Sequence, residues 1–577
     1  MTDVASLRPL AAVLVSALTI VPILLSGRRP NLREAWTLLA AVAGLGIVAS
    51  MVPGVLAGNV YVTELGTFVP GVEFTLRADP LGVLFGLLAS LLWLVTSFYS
   101  IGYMRGLDEH DQTRYFAAFA GSVSAAVGVA FAANLLVMFV FYELLTVATY
   151  PLVAHDETAE ARAAGWKYLA YTFTGGVAVL AGAILVFWAT GTTAFTPGGI
   201  AALAGADPVL ARLAFALLAA GFGVKAALMP LHSWLPDAMV APTPVSGLLH
   251  AVAVVKSGVF GIARVVLDVY GPGLSTELGV GVALAAVAAL TLVVSSVIAL
   301  RQDNLKRRLA FSTVSQLSYI VLGLAVLNPL SLVGGLLHIP AHAFMKLTLF
   351  FCAGAIHVET HTDDISNMAG IGRRMPLTMA AFGVAALGMA GIPLLAGFVS
   401  KYFLLLGTIS AGHIVFTGAL LVSGVLNIAY FWPVVYTAFF ESPGAADGKP
   451  VVENPLGGWL GEPDGVTDGG KTPVDARSDN SVPADVERDD HGYAETHEGQ
   501  GTIDDREAAA HIDREHGPDA SPAWEHRRWT GEESTWLMLG PILFAATGSV
   551  VLGIVPDSAV FLRIVRLIVQ GVTGVVV

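Results

Sequence analysis

GFGVKAALMPLHSWLPDAMVAPTPVSG, residues 221–247, is apolar enough to enter a bilayer, yet it holds Lys225 and the prolines Pro230, Pro236, Pro242 and Pro244. Proline removes a backbone donor and clashes with the preceding turn, so a helix entering this stretch must break. A break at membrane depth persists only where it lines a cavity within protein. A second stretch repeats the pattern: GMAGIPLLAGFVSKYF, residues 388–403, combines Gly391 and Pro393 with Lys401. Paired broken helices in corresponding halves are the signature of inverted-repeat transporters with a site near the midplane. Ordinary proline kinks are the competing reading, and the lysine beside each break argues against it.

Three more charges lie inside apolar runs: Glu143 in NLLVMFVFYELLTVATYPLV, Lys256 in GLLHAVAVVKSGVF and Lys346 in HIPAHAFMKLTLFF. A charge at the bilayer centre costs at least about 2.5–3.5 kcal/mol, so one that persists there points to function. Acid and base alternating through a membrane interior suggest a proton relay.

The wider composition agrees. Of 577 residues, 55% are hydrophobic and 13% charged, against roughly 25% charged in soluble domains. Apolar runs start near residues 6, 34, 78, 115, 133, 166, 209, 243, 277, 309, 331, 376, 412 and 535. Each can cross roughly 30 Å of hydrocarbon. The fold class expected is therefore an all-α polytopic membrane protein with about fourteen transmembrane helices. The first run has its arginines after the apolar core and lacks a basic start, so it reads as a spanning helix and not a signal peptide.

Cys352 is the single cysteine, which rules out an internal disulfide, an iron–sulfur centre or a cysteine-based zinc site. No glycine-rich nucleotide loop stands in a strand–helix context. No cofactor is expected, and redox chemistry would have to reside in a partner. Residues 441–534 hold 23 acids and 8 bases of the chain's 44 and 31, so the net charge of −13 belongs to this one segment. It is rich in Gly, Pro, Asp and Glu and reads as a disordered acidic loop. That acidity, with Arg far in excess of Lys, fits a halophile-type surface; a docking tail is the other reading.

Basic residues in short loops set orientation. Arg28, Arg29, Arg33, Arg105, Arg114, Arg162, Lys167, Arg301, Lys306, Arg307, Arg308, Arg373 and Arg374 follow odd spans, against Arg8, Arg77, Arg212 and Arg264 on the other side. Thirteen against four places the N-terminus outside and the acidic loop in the cytoplasm. VFLRIVRLIVQGVTGVVV, at the end, either extends the fourteenth span or lies along the surface.

A lysine ammonium in a low dielectric holds its proton weakly, and a neighbouring carboxylate strengthens that hold. Glu143 can serve as that partner for Lys225: paired, the lysine keeps its proton; separated, it releases it. His250 and Lys256 stand at i and i+6, on different faces, where they can flank a water path. His338, His342 and Lys346, at i, i+4 and i+8, share one face. Histidine titrates near neutrality and suits a shuttle between lysines. Two histidines at i, i+4 also clamp zinc, but no acid or cysteine completes a set, so no metal site is expected. His155, Asp156 and Glu157, and likewise His357, His361, Asp363 and Asp364, read as solvated loop clusters.

KAALMPLHSWLPDAMVAPTPVSGLLHAVAVVKSGVF, RQDNLKRRLAFSTVSQLSYIVLG, HIPAHAFMKLTLFFCAGAI and GIPLLAGFVSK together resemble the antiporter-like subunits shared by respiratory complex I and Mrp-type cation/proton antiporters. The similarity covers roughly residues 75–440. The resemblance implies fourteen helices with two inverted five-helix repeats, the seventh and twelfth broken. On it, residues 1–114 hold three N-terminal helices, 115–268 the first repeat and 277–440 the second. The acidic loop occupies 441–534, and a last helix with its tail 535–577. It also implies roles: Glu143 and Lys225 as the charged pair of the fifth and seventh helices, Lys256 and His250 as connectors, His338, His342 and Lys346 as the set of the eleventh, and Lys401 as the terminal lysine.

FYELLTVATYPLVAHDET resembles the Mrp D-type subunit. Neither the long lateral helix of the largest complex I subunit nor the extra helices of the large A-type Mrp protein are expected here. Pro340 and the acidic insert depart from the family pattern. The function implied is a proton-translocating subunit of a multisubunit Na+/H+ antiporter in the cell membrane. Its partners would be other membrane subunits, H+ and Na+, with no nucleic acid. A proton-pumping subunit of NADH-quinone oxidoreductase or of a membrane-bound hydrogenase is the alternative. A passive channel would show a ring or filter of one polarity, and a scaffold would not need the lysines.

Overall fold

The computed structural model describes residues 1–441, 533–557 and 560–577. Nearly all of the expected acidic loop lies outside the described residues.

Strand β1 (Thr2–Ala5) leads into α1 (Arg8–Leu25) and α2 (Pro30–Leu56), and β2 (Asn59–Val69) and β3 (Val72–Ala78) follow. They form one sheet, with β1 parallel and β3 antiparallel to β2. The sheet adds to the all-helical expectation. Its signal is NVYVTELGTFVPGVEFTLRA, β-branched and aromatic residues about a glycine turn, the pattern of a hairpin.

Next come α3 (Pro80–Gly106), α4 (Gln112–Phe131), α5 (Leu135–Val153), α6 (Ala159–Thr190) and α7 (Pro208–Lys225). The short helices α8 (Trp234–Asp237) and α9 (Thr243–Gly247) lead through a π turn at Leu248–Val252 into α10 (Val254–Arg264). A second π turn, Val265–Val269, precedes α11 (Gly271–Glu277). The second half holds α12 (Val280–Leu300), α13 (Leu305–Ala325), α14 (Pro329–Thr360), α15 (Ile371–Arg374), α16 (Pro376–Ala390), α17 (Ala396–Ser410) and α18 (Ile414–Phe440). After the acidic segment come α19 (Trp536–Ile554) and α20 (Val560–Thr573).

Among the described residues, 12 helices are long and apolar enough to cross a membrane. At the other two expected spans, near residues 243 and 376, stand shorter helices that do not reach this length, α9 with α10 and α16 with α17. Short polar side chains start many of these helices. Asp79 accepts from the Gly82 amide at 2.7 Å, Asn134 from Val137 at 2.9 Å and Thr158 from Ala161 at 3.1 Å. Each satisfies a donor that the first turn leaves open.

Burial separates centre from rim. The most apolar windows of α13 and α14 are 100% buried, whereas those of α1 and α2 are 28% and 33% buried. α14 therefore runs through protein along its length, and Pro340 does not interrupt it. α20 is a separate helix that buries Phe561, Leu562, Ile564, Val565, Ile568 and Val569 and packs on α14 and α3. Arg264 corrects the charge count. It is buried at the end of α10, bonded to Asp79 at 2.6 and 2.8 Å and to Asp268 at 2.7 Å, so it is not a free loop base.

Candidate functional site

The first break follows from α7 ending at Lys225. The chain turns through Ala226–Ser233 before α8, and Ala227 takes a positive φ of 55°. The Trp234 indole donates to the Val224 carbonyl at 2.9 Å, and Thr291 accepts from the Met229 amide at 3.1 Å. The backbone groups that lose helical partners thus find side chains, as a membrane interior requires.

Lys225 is fully buried. Its Nζ donates to the Tyr142 carbonyl at 2.5 Å and sits 3.5 Å from the centre of the Tyr142 ring. Glu143 is the next residue, and neither of its carboxylate oxygens has a hydrogen-bond partner. Lys225 and Glu143 are electrostatic neighbours but not an ion pair. The pairing expected from sequence is present as proximity, in the separated arrangement. Gly176 of α6 lies directly over the carboxylate, where a Cβ would collide with Glu143.

From this break the site passes to α10. Gly258 lets α10 press on the backbone at Lys225–Ala226, where a Cβ would overlap Ala226 N and Lys225 C. Two residues earlier, buried Lys256 places Nζ 2.6 Å from His342 Nδ1 on α14. His342 Nε2 has no partner. One turn away, the His338 ring lies 6.1 Å from the His342 ring. His338 is held at both nitrogens, by Ser400 Oγ at 2.8 Å and Gln316 Oε1 at 2.9 Å.

The second break separates α16 from α17. Gly391, at φ 92°, ends α16, and the Met389 carbonyl accepts from Lys401 Nζ at 2.5 Å and from Asn427 Nδ2 at 3.2 Å. Lys401 also stands 4.6 Å from the Tyr319 ring centre. Ser400, its chain neighbour, carries the contact to His338.

The structure thus sets Lys256, His342, His338 and Lys401 along one buried file: Lys256 bonds His342, the two histidine rings stand 6.1 Å apart, and His338 bonds Ser400, whose chain neighbour Lys401 bonds the Met389 carbonyl. Lys346 shares the helical face of the two histidines, but its Nζ turns to α13, donating to Ser312 Oγ and, at 2.8 Å, to the Leu309 carbonyl. His250 is not joined: both ring nitrogens lack partners, and Phe350 packs on it at 4.7 Å. Gln316, Ser312, Ser400, Tyr142 and Gly176 were not singled out from sequence. Ser400 and Tyr142 each adjoin a residue that was, the one available signal. His155, expected to be solvated, is buried.

Residues 132–427 match the family model described as NADH:quinone oxidoreductase/Mrp antiporter, transmembrane. The chain is 36% identical over 388 residues to NADH-quinone oxidoreductase subunit N of Desulforudis audaxviator, covering 66% of this chain and 76% of that one. It is 34% identical over 420 residues to a probable K+/H+ antiporter component of Rhizobium meliloti, covering 71% of this chain but 40% of that longer one. A chain of the Mrp complex from Dietzia sp. superimposes with a TM-score of 0.76 over 98% of each chain at 22% identity, a likeness of fold.

Proposed function

We propose that the chain, which belongs to the NADH:quinone oxidoreductase/Mrp antiporter transmembrane family, is a D-type, proton-conducting subunit of a multisubunit monovalent cation/proton antiporter, with Na+ as the counter-ion. The observation that carries this reading is the contact of Lys256 Nζ on α10 with His342 Nδ1 on α14 at 2.6 Å, both side chains fully buried. A protonated lysine donates to the imidazole there, and a protonated imidazole donates to the neutral amine. One geometry serves both states, so a proton can pass without rearrangement of the helices.

The two ends of the file do different work. At the first break, Lys225 moves between the Tyr142 carbonyl and the unpartnered Glu143 carboxylate. Contact with Glu143 holds the proton on lysine; return to the carbonyl releases it towards Lys256. Lys401 takes the far end beyond His338 and Ser400. Carrying one charge across the membrane involves about 2.3 kcal/mol per 100 mV, so the relay couples to potential. The cell membrane, with the N-terminus outside, belongs to the same reading.

The 36% identity to a quinone oxidoreductase subunit over 76% of that chain supports a second reading, a pumping arm of a redox complex. The native complex, gently solubilised and captured on this chain, separates the two by mass spectrometry. Small hydrophobic subunits alone support the antiporter. Flavin or iron–sulfur subunits in the preparation replace it with the redox arm.

A further inference from the structure

We propose that Glu109, His110 and His155 form a binding site for a zinc-class divalent transition-metal ion that, when filled, clamps the α3–α4 loop to the α5–α6 loop. One donor atom from each residue lies within 4.8 Å of the others. Tetrahedral nitrogen and oxygen ligands around zinc stand about 3.4 Å apart. Small rotations of Glu109 and His110, both in the loop after α3, close that difference. The His110 and His155 rings already stack at 4.8 Å and 27°, and His110 Nδ1 faces the Glu109 carboxylate at 3.8 Å.

His155 is the second, independent observation. It is fully buried, and neither ring nitrogen makes a hydrogen bond of normal geometry. A buried polar group without a partner is rare and calls for an explanation such as a bound ion. Arg114 opposes a cation here, but it is offset by Asp111 at 3.5 Å and by a contact with Glu157.

The site borders a cavity of about 630 Å³ whose lining includes Glu109, Asp156, Lys306, His357 and Asp363. A clamp at that rim narrows access to the interior. This consequence rests on the transport reading above; the binding itself does not. The proposal departs from the sequence expectation of no metal centre; Glu109 and His155 are far apart in the chain and form no motif there.

The test is a titration of the purified native complex, stripped by chelator, with Zn2+ alone against a competing indicator. H+ movement is followed in vesicles in parallel. Five histidines in residues 442–532 supply background binding, so the readout is the difference between wild type and variants. His155→Ala and the isosteric Glu109→Gln should each weaken one binding event at least about tenfold. His357→Ala should leave it unchanged, and Zn2+ should slow H+ movement in wild type but not in the two site variants. Identical titrations for wild type and Glu109→Gln would overturn the site, as would loss of binding in His357→Ala. Zn2+ binding without any slowing would overturn the clamp. A metal-free wild type that moves no H+ counts against the antiporter reading and leaves the binding result standing.

Discussion

The two broken segments have the same ingredients and use them differently. At the first, Lys225 reaches across to another helix, bonding the Tyr142 carbonyl on α5, and the indole of Trp234 supports the freed backbone. At the second, Lys401 itself supports the freed backbone, sharing the Met389 carbonyl with Asn427. Lys225 can therefore change partners without exposing the break, and an unpartnered carboxylate waits beside it. Lys401 is a strut, and in the proposed relay it would be a proton carrier as well. The comparison teaches that the lysine with no backbone break to hold is the one left beside an unpartnered carboxylate, which is where the proposed relay needs a charge able to change partners.

Lys225→Ala breaks the comparison most directly. H+ transport by the reconstituted complex should fall by roughly two orders of magnitude, about 2.7 kcal/mol of barrier. Thermal stability should change little, because the strut at that break is intact. Equal transport in the variant would end the relay reading. Glu143→Gln keeps the shape but removes the second partner, and a fall of about tenfold is expected, read in the same assay.

Lys401→Ala should lower both transport and stability. Combined with Asn427→Ala it should cost a further 1–3 kcal/mol or so, the price of an unsatisfied buried carbonyl. Denaturation of the four-member cycle measures it; additivity would mean the two side chains are not sharing Met389. Gly176→Ala sharpens the first half of the comparison. The added methyl must push the Glu143 carboxylate, so a loss of about 1–3 kcal/mol is expected, with transport reduced less than in Glu143→Gln.

The smallest effect concerns Glu533, which accepts from the Leu377 and Thr378 amides at 2.8 and 2.5 Å at the start of α16. Burial raises its pKa above the ordinary 4.5 despite these bonds. The folded state therefore binds the proton more tightly than the unfolded one, and this group's contribution to stability declines as pH rises through that interval. Glu533→Gln should flatten that part of the melting-temperature profile.

Much of this was legible beforehand. Prolines and lysines inside apolar runs marked both breaks, and the spacing of His338, His342 and Lys346 marked one face of α14. Their partners were not legible. Nothing in HIPAHAFMKLTLFF says that Lys346 turns to Leu309 while His342 takes Lys256. His250 has the same composition cue as His342, yet it packs on Phe350 without a polar contact. The hairpin was missed because residues 59–78 stood among apolar runs read for membrane length.

The sequence by itself determined the solvent of this protein, where its helices break and which charges enter the interior. Those are local properties, set by hydropathy and by the missing amide of proline. Only the tertiary structure decided which charge meets which partner. Lys256 and His342, 86 residues apart, and Lys225 and Tyr142, 83 apart, meet because the packed helices bring them together and buried donors must find acceptors. That choice is made by packing among distant segments, and no local pattern encodes it.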